Sequence, residues 1–207
     1  MQHEVGIKYQ PPGTKDLYQV AVYNLRQKNV QQRVSVDPPL YAGVGSVRAR
    51  GIELSANAAL TKRLNMIAGY TYNKIEYRSN IDLGSVHLEK GLSPALSPRQ
   101  MASLWLHYDL GRGIRGGLGE RYVEHSDFYT DSAQVSKATR GHTASYALTD
   151  AFLSTELSQW SSAFKGINVK LNATNLFDKK YLTGCFSEQY CYFGDRRQVT
   201  ATVDYSF

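Results

Sequence analysis

No run of about 18 apolar residues occurs in the chain, which excludes a membrane-spanning helix. Cysteine is nearly absent: Cys185 and Cys191 are the only two, and they share one short loop. A pair so close can be a disulfide, a metal pair or two free thiols. No second Cys or His pair completes a zinc site, and a disulfide formed in an oxidising compartment accounts best for the two. The five histidines are scattered along the sequence, so no metal site is expected. Met1-Gln2-His3-Glu4-Val5 has neither a charged start nor an apolar stretch, so no signal peptide is expected there. There is no G-x-x-x-x-G-K-[ST] segment, which leaves no ATP-driven engine. Gly111-Arg112-Gly113-Ile114-Arg115-Gly116 does match G-x-G-x-x-G. A dinucleotide site would need a helix after it, and an alternating strand follows instead, so a turn is expected. Carboxylates do not pair as acid and base, and no nucleophile sits in an elbow. No catalytic residue is expected and the chain is not read as an enzyme. The charge of +6 is spread over many segments without a basic helical stripe, so no nucleic-acid partner is expected.

What the chain does have is alternation. Ile167, Val169, Leu171 and Ala173 interleave with Asn168, Lys170, Asn172 and Thr174. Val199, Ala201, Val203, Tyr205 and Phe207 interleave with Thr200, Thr202, Asp204 and Ser206. Successive side chains of a strand point to opposite faces, so each run has one apolar and one polar face. The pattern recurs from Val5 to Tyr9, from Leu17 to about Val36, and through Ile52–Leu60, Leu64–Tyr72, Ala102–Leu110, Ile114–Phe128 and Ala147–Leu153. About nine strands result. Short connections (Pro11-Pro12-Gly13, Thr61-Lys62-Arg63, Gly111-Arg112-Gly113) alternate with long ones, among them the one opened by Asp37-Pro38-Pro39. This loop asymmetry is the mark of a transmembrane barrel, whose half-polar strands give a weak hydropathy signal. The 15 Tyr and 17 Gly fit such a barrel and equally a soluble all-β binding protein. Migration that changes on heating would favour the barrel. Glu120 is in phase with Ile114, Leu118 and Tyr122 and would face lipid; a bulge near Gly116-Gly117 that turns it away is the preferred expectation, with a place near an interface or a drifted sequence as the alternatives.

Several motifs carry a resemblance that covers nearly the whole chain. Asn175-Leu176-Phe177-Asp178-Lys179-Lys180-Tyr181 resembles the NLFD-x-x-Y segment near the end of TonB-dependent outer-membrane receptors. Phe193-Gly194-Asp195-Arg196-Arg197 and the run to Phe207 are similar to their last strand, and Arg50-Gly51-Ile52-Glu53 to their RG-[IV]-E strand. The loop Cys185 to Cys191 resembles the last extracellular loop of the ferrichrome-type, hydroxamate-siderophore branch. The resemblance implies an all-β, antiparallel transmembrane barrel of 22 strands with a plugged lumen. Residues 1–207 would be its C-terminal portion, with the plug, the signal peptide and the TonB-contacting part outside this chain. The implied function is ferric-siderophore uptake, with iron only as cargo and no resident cofactor. A receptor for haem or cobalamin, or a porin, is the alternative. Phe186 occupies the place of an aromatic that lines the siderophore pocket in this branch, and Tyr190 and Tyr192 stand beside it as further ligand candidates. Tyr129 and Tyr146 border another loop and are expected in the aromatic girdle. Arg26, Lys28, Arg33, Arg48 and Arg50 lie near outer strand ends, as a solvated rim or against anionic lipopolysaccharide. Tyr205 and Phe207 resemble the terminal signal read by the barrel-assembly machinery.

Overall fold

The structure is a computed structural model that describes residues 1–35, 40–43, 45–82, 87–130 and 134–207. Asp37-Pro38-Pro39 and the Arg33 side chain lie outside the described residues. Nine strands form one sheet in sequence order, each antiparallel to the next. They are β1 (Gln2–Tyr9), β2 (Leu17–Lys28), β3 (Ser46–Ala59), β4 (Leu64–Tyr77), β5 (Gln100–Gly111), β6 (Ile114–Val123), β7 (Tyr146–Glu156), β8 (Ile167–Thr174) and β9 (Gln198–Tyr205). The runs expected as single strands over Leu17–Val36 and Ile114–Phe128 are each split. The first breaks at Asn29, which takes a left-handed φ of 54°; asparagine tolerates that region better than most residues. Segments 10–16, 60–63, 112–113 and 157–166 connect the strands at one end of the sheet. Long excursions, 29–45, 78–99, 124–145 and 175–197, leave from the other.

Register places the apolar rows on one continuous face. Val20 pairs with Leu54, Leu54 with Tyr70, and Leu106 with Leu118. Leu118 pairs with Ala151, Leu153 with Leu171, and Leu171 with Ala201. Large apolar side chains on this face stay exposed, including Val5, Leu118, Leu153 and Val203. A patch running across nine strands is far larger than a water-facing surface normally shows, and matches a lipid-facing wall.

The opposite face carries Gln19, Glu53, Thr71, Ser103, Arg121, Asp150, Lys170 and Thr200 in matching register. Glycine makes room there for rings. A Cβ on Gly119 would meet the Trp105 indole at 2.4 Å, and one on Gly117 the Phe152 ring at 2.3 Å. Gly51, of the Arg50-Gly51-Ile52-Glu53 motif, lies against the Tyr23 phenol, 2.6 Å from where a Cβ would stand.

The expected bulge at Gly116-Gly117 is absent. β6 pairs with β7 without interruption from Ile114 to Val123, and its one register shift against β5 falls between Ile114 and Arg115. Glu120 therefore stays on the apolar face. Thr149, directly opposite, donates its hydroxyl to the Glu120 Oε2 at 2.7 Å, which offsets part of the cost of that position.

Candidate functional site

The long-loop end of the sheet holds a buried apolar cluster among the described residues. Tyr77, Leu88, Leu92, Tyr129 and Val135 form a buried cluster drawn from the 78–99 and 124–145 excursions and the tip of β4. Tyr129 is not a girdle residue as expected. It is 1% exposed, its hydroxyl donates to the Ser93 carbonyl at 2.6 Å, and burial pushes its phenol pKa well up. Two backbone pairings tie the loops together. Val135 pairs in parallel with Leu88, and Tyr129 pairs in parallel with Ser187 of the cysteine hairpin.

That hairpin is Leu182–Ser187 against Tyr190–Phe193. Cys185 and Cys191 face each other across it and are joined as a disulfide. Phe186 falls at a register shift between Cys185 and Ser187 and is half-buried. Such a bulge re-aims a side chain away from the regular ladder. Tyr190 and Tyr192 are 50% and 59% exposed. A cavity of about 460 Å³ opens on the polar face, lined by Gln19, Glu53, Ser103, Arg121, Tyr146 and Tyr181 among others. None of Phe186, Tyr190 and Tyr192 lines it. The hairpin aromatics thus lie outside this recess.

The NLFD segment forms a polar clamp between wall and hairpin. Asn175 is buried and takes a left-handed φ of 49°. Its Nδ2 donates to the Lys179 and Asp195 carbonyls at 2.8 and 3.0 Å, and its Oδ1 accepts from the Lys179 N–H at 2.8 Å. Its own N–H donates to Asp150 Oδ1 at 2.9 Å. Asp150, itself buried, also holds the Arg121 guanidinium with two contacts at 2.6 and 3.1 Å. Asp178 takes both arms of Arg196 and the Arg197 N–H. Those bonds hold its carboxyl well below the usual carboxylate range. Its folded-state pKa is depressed, so the stability it adds is fully present above the usual carboxylate range, fades as pH falls through that range, and is gone once the depressed pKa is passed. Tyr181 stacks on Tyr146 at 4.5 Å and covers Gly194, where a Cβ would stand 2.0 Å from the ring. Both tyrosines line the cavity, and Tyr146, in phase with Asp150 on the polar face, also departs from the expected girdle position.

On the apolar face, at the long-loop end, Arg26, Arg48 and Arg50 stand in register with Lys74 and Glu76. Arg48 Nε donates to Asn24 Oδ1 at 2.7 Å, and Lys74 lies 2.6 Å from Glu76. Lys28 continues the same row opposite Ser46. At the other end Tyr205 and Phe207 lie ring to ring at 6.2 Å, both largely exposed.

The family model described as "TonB dependent receptor-like, beta-barrel" matches residues 1–176. The chain belongs to that family. A ferrioxamine receptor of Yersinia enterocolitica is 42% identical over the whole of this chain. The ferrichrome outer membrane transporter/phage receptor of Escherichia coli K12 is 37% identical, again over the whole chain. The chain spans 27% and 26% of the length of these two relatives. The solved siderophore receptor PiuA of Acinetobacter baumannii superposes on 99% of the chain with a TM-score of 0.75 at 25% identity. It is matched over 28% of its own length. The receptor barrel is an outer-membrane structure, so the short turns face the periplasm and the long loops the exterior. The disulfide hairpin, the buried loop cluster and the basic row are then all extracellular.

One grouping was not legible beforehand. Two of the five histidines meet in space: the rings of His125 and His142 lie 5.0 Å apart, edge to face. The available signal was that both flank one long excursion, with Asp127 beside the first.

Proposed function

We propose that residues 1–207 form the C-terminal portion of a receptor barrel that takes ferric siderophores of the hydroxamate class across the outer membrane. The observation that carries this is the match, over the whole of this chain, to ferrioxamine and ferrichrome receptors, joined to the disulfide hairpin in the last long excursion. In this reading β1 and β9, the edges of the sheet, pair with further strands of the longer barrel. Iron is cargo rather than a resident cofactor, and TonB acts through a part of the receptor beyond this chain. The receptor is a transporter and not an enzyme.

Phe186, Tyr190 and Tyr192 are the ligand-facing aromatics of the hairpin. A ring closed by Cys185 and Cys191 restricts the loop, which lowers the ordering cost of binding a bulky, partly apolar ligand. In the full-length receptor, Phe186→Ala should weaken ferric hydroxamate binding about tenfold, the loss of about 1.4 kcal/mol. Outer-membrane levels should not change. Unchanged affinity with the disulfide intact would move specificity elsewhere in the receptor.

Two further contacts belong to this reading. Arg26, Lys28, Arg48 and Arg50 meet the phosphates of lipopolysaccharide; replacing Arg48 and Arg50 with Ser should reduce the lipopolysaccharide that co-purifies, and an unaltered amount argues against it. Tyr205 and Phe207 present the pattern read by the barrel-assembly machinery. Deleting Phe207 should lower the receptor's outer-membrane level, and an unaltered level leaves the two rings as girdle residues only.

A further inference from the structure

The structure assigns a second role to the 124–145 loop: we propose that His125, Asp127 and His142 form an extracellular site for a divalent transition ion of the zinc class. This rests on side-chain geometry and is independent of the siderophore reading.

One donor atom from each of the three residues lies within 4.8 Å of the other two. His142 Nδ1 is 2.8 Å from Asp127 Oδ1. Bonds of about 2.0–2.1 Å to a tetrahedral ion set neighbouring donors about 3.3 Å apart. The three atoms therefore need only small side-chain rotations to close on one ion. Two imidazole nitrogens with a carboxylate oxygen favour zinc, nickel and copper over calcium or magnesium.

The backbone fixes the donors before any ion arrives. Asp127 pairs directly with His142 in a short antiparallel ladder. Asp127 is buried, its carbonyl accepts from the Leu96 N–H at 3.2 Å, and the Ser126 N–H donates to the Thr143 hydroxyl at 3.0 Å. The two histidine side chains are 43% and 42% exposed, so the open side of the site faces water and leaves a coordination position free.

A neighbouring carboxylate supports the assignment. Glu124 Oε1 lies 3.9 Å from His125 Nδ1, and Glu124 Oε2 is buried with no hydrogen-bond partner among the described residues. An orphaned buried carboxylate oxygen is costly and calls for a donor. A small turn of the His125 ring brings its Nδ1–H to Glu124 and leaves its other nitrogen for the ion. Metal-bound histidines are commonly oriented by such a carboxylate.

One group works against the ion. Arg140 places its Nε 3.7 Å from Asp127 Oδ1 and an Nη 3.4 Å from His142. Its charge repels a cation and competes for Asp127. This opposition supplies a readout that a merely structural polar cluster would not give.

The test uses the untagged full-length receptor, purified from outer membranes in detergent and stripped with a chelator. Zn²⁺ is then titrated in competition with a chromophoric chelator. One ion per chain is expected, at micromolar affinity or tighter. His125→Gln and His142→Gln should each weaken binding at least tenfold. Arg140→Gln should tighten it several-fold, and His87→Gln should change nothing. His125→Gln carries the test if His142→Gln disturbs the loop, because His125 has no close hydrogen bond to lose. Heat-dependent migration of each variant confirms that it is folded. No saturable Zn²⁺ binding, or binding that His125→Gln and Arg140→Gln leave unchanged, overturns the proposal.

Discussion

Leu171→Arg should destabilise the receptor barrel by about 2–4 kcal/mol, while Asn172→Arg, one residue along, should cost under about 1 kcal/mol. Leu171 lies midway along β8, paired with Leu153 on one side and Ala201 on the other, all on the apolar face. A guanidinium there must leave water for hydrocarbon. Asn172 points to the polar face, between Phe152 and Thr200. An added cation at that position keeps access to water. Refolding of the full-length receptor into lipid vesicles against urea measures both. Equal costs would mean that the two faces are assigned the wrong way or that neither meets lipid.

Asn175→Ala should cost about 2–4 kcal/mol, although Asn175 lies just past the end of β8 and outside the ladder. Two carbonyls and one N–H lose the partner that the side chain supplies. Each buried polar group left alone costs about 1–3 kcal/mol, with water recovering part of that near the loop surface. Alanine must also hold the left-handed backbone that asparagine tolerates, at about 1 kcal/mol more. Lys180→Ala, an exposed neighbour, is the control and should stay within about 0.5 kcal/mol. The same urea titration reads both variants. A small effect at Asn175 would mean that the clamp is replaced by water and that Asp178 with Arg196 suffices.

The wall was legible because its determinant is local. A period of two in side-chain polarity survives in each strand, and register follows from it. The Glu120 expectation failed for a related reason. Periodicity flags a carboxylate out of place but cannot see that Thr149, on the next strand, answers it. The loop cluster was illegible, since Tyr77, Leu88, Leu92, Tyr129 and Val135 share no period and meet only through pairings such as Leu88 with Val135. Tyr129 was misplaced for that reason. The cysteine pair was readable from its spacing, whereas His125 and His142 needed the ladder that sets Asp127 against His142. The NLFD motif was recognised as a marker, and its physical work, fastening Asp150 of the wall to the Lys179 and Asp195 carbonyls that flank the hairpin, emerged only in three dimensions.

The two parallel pairings among the loops have a mechanical consequence. In the wall each strand is bonded only to its sequence neighbours, so a pull on one end meets a single ladder at a time. Such a sheet peels like a zip, in hairpin steps. The pairings of Val135 with Leu88 and of Tyr129 with Ser187 join neighbouring hairpins a second time, through their loops rather than through the wall. They act as cross-stitches. Under load from the β9 end, peeling should pause at the Tyr129–Ser187 stitch and again at Val135–Leu88. The rupture trace would then show a few large steps where an unstitched meander would show many small ones.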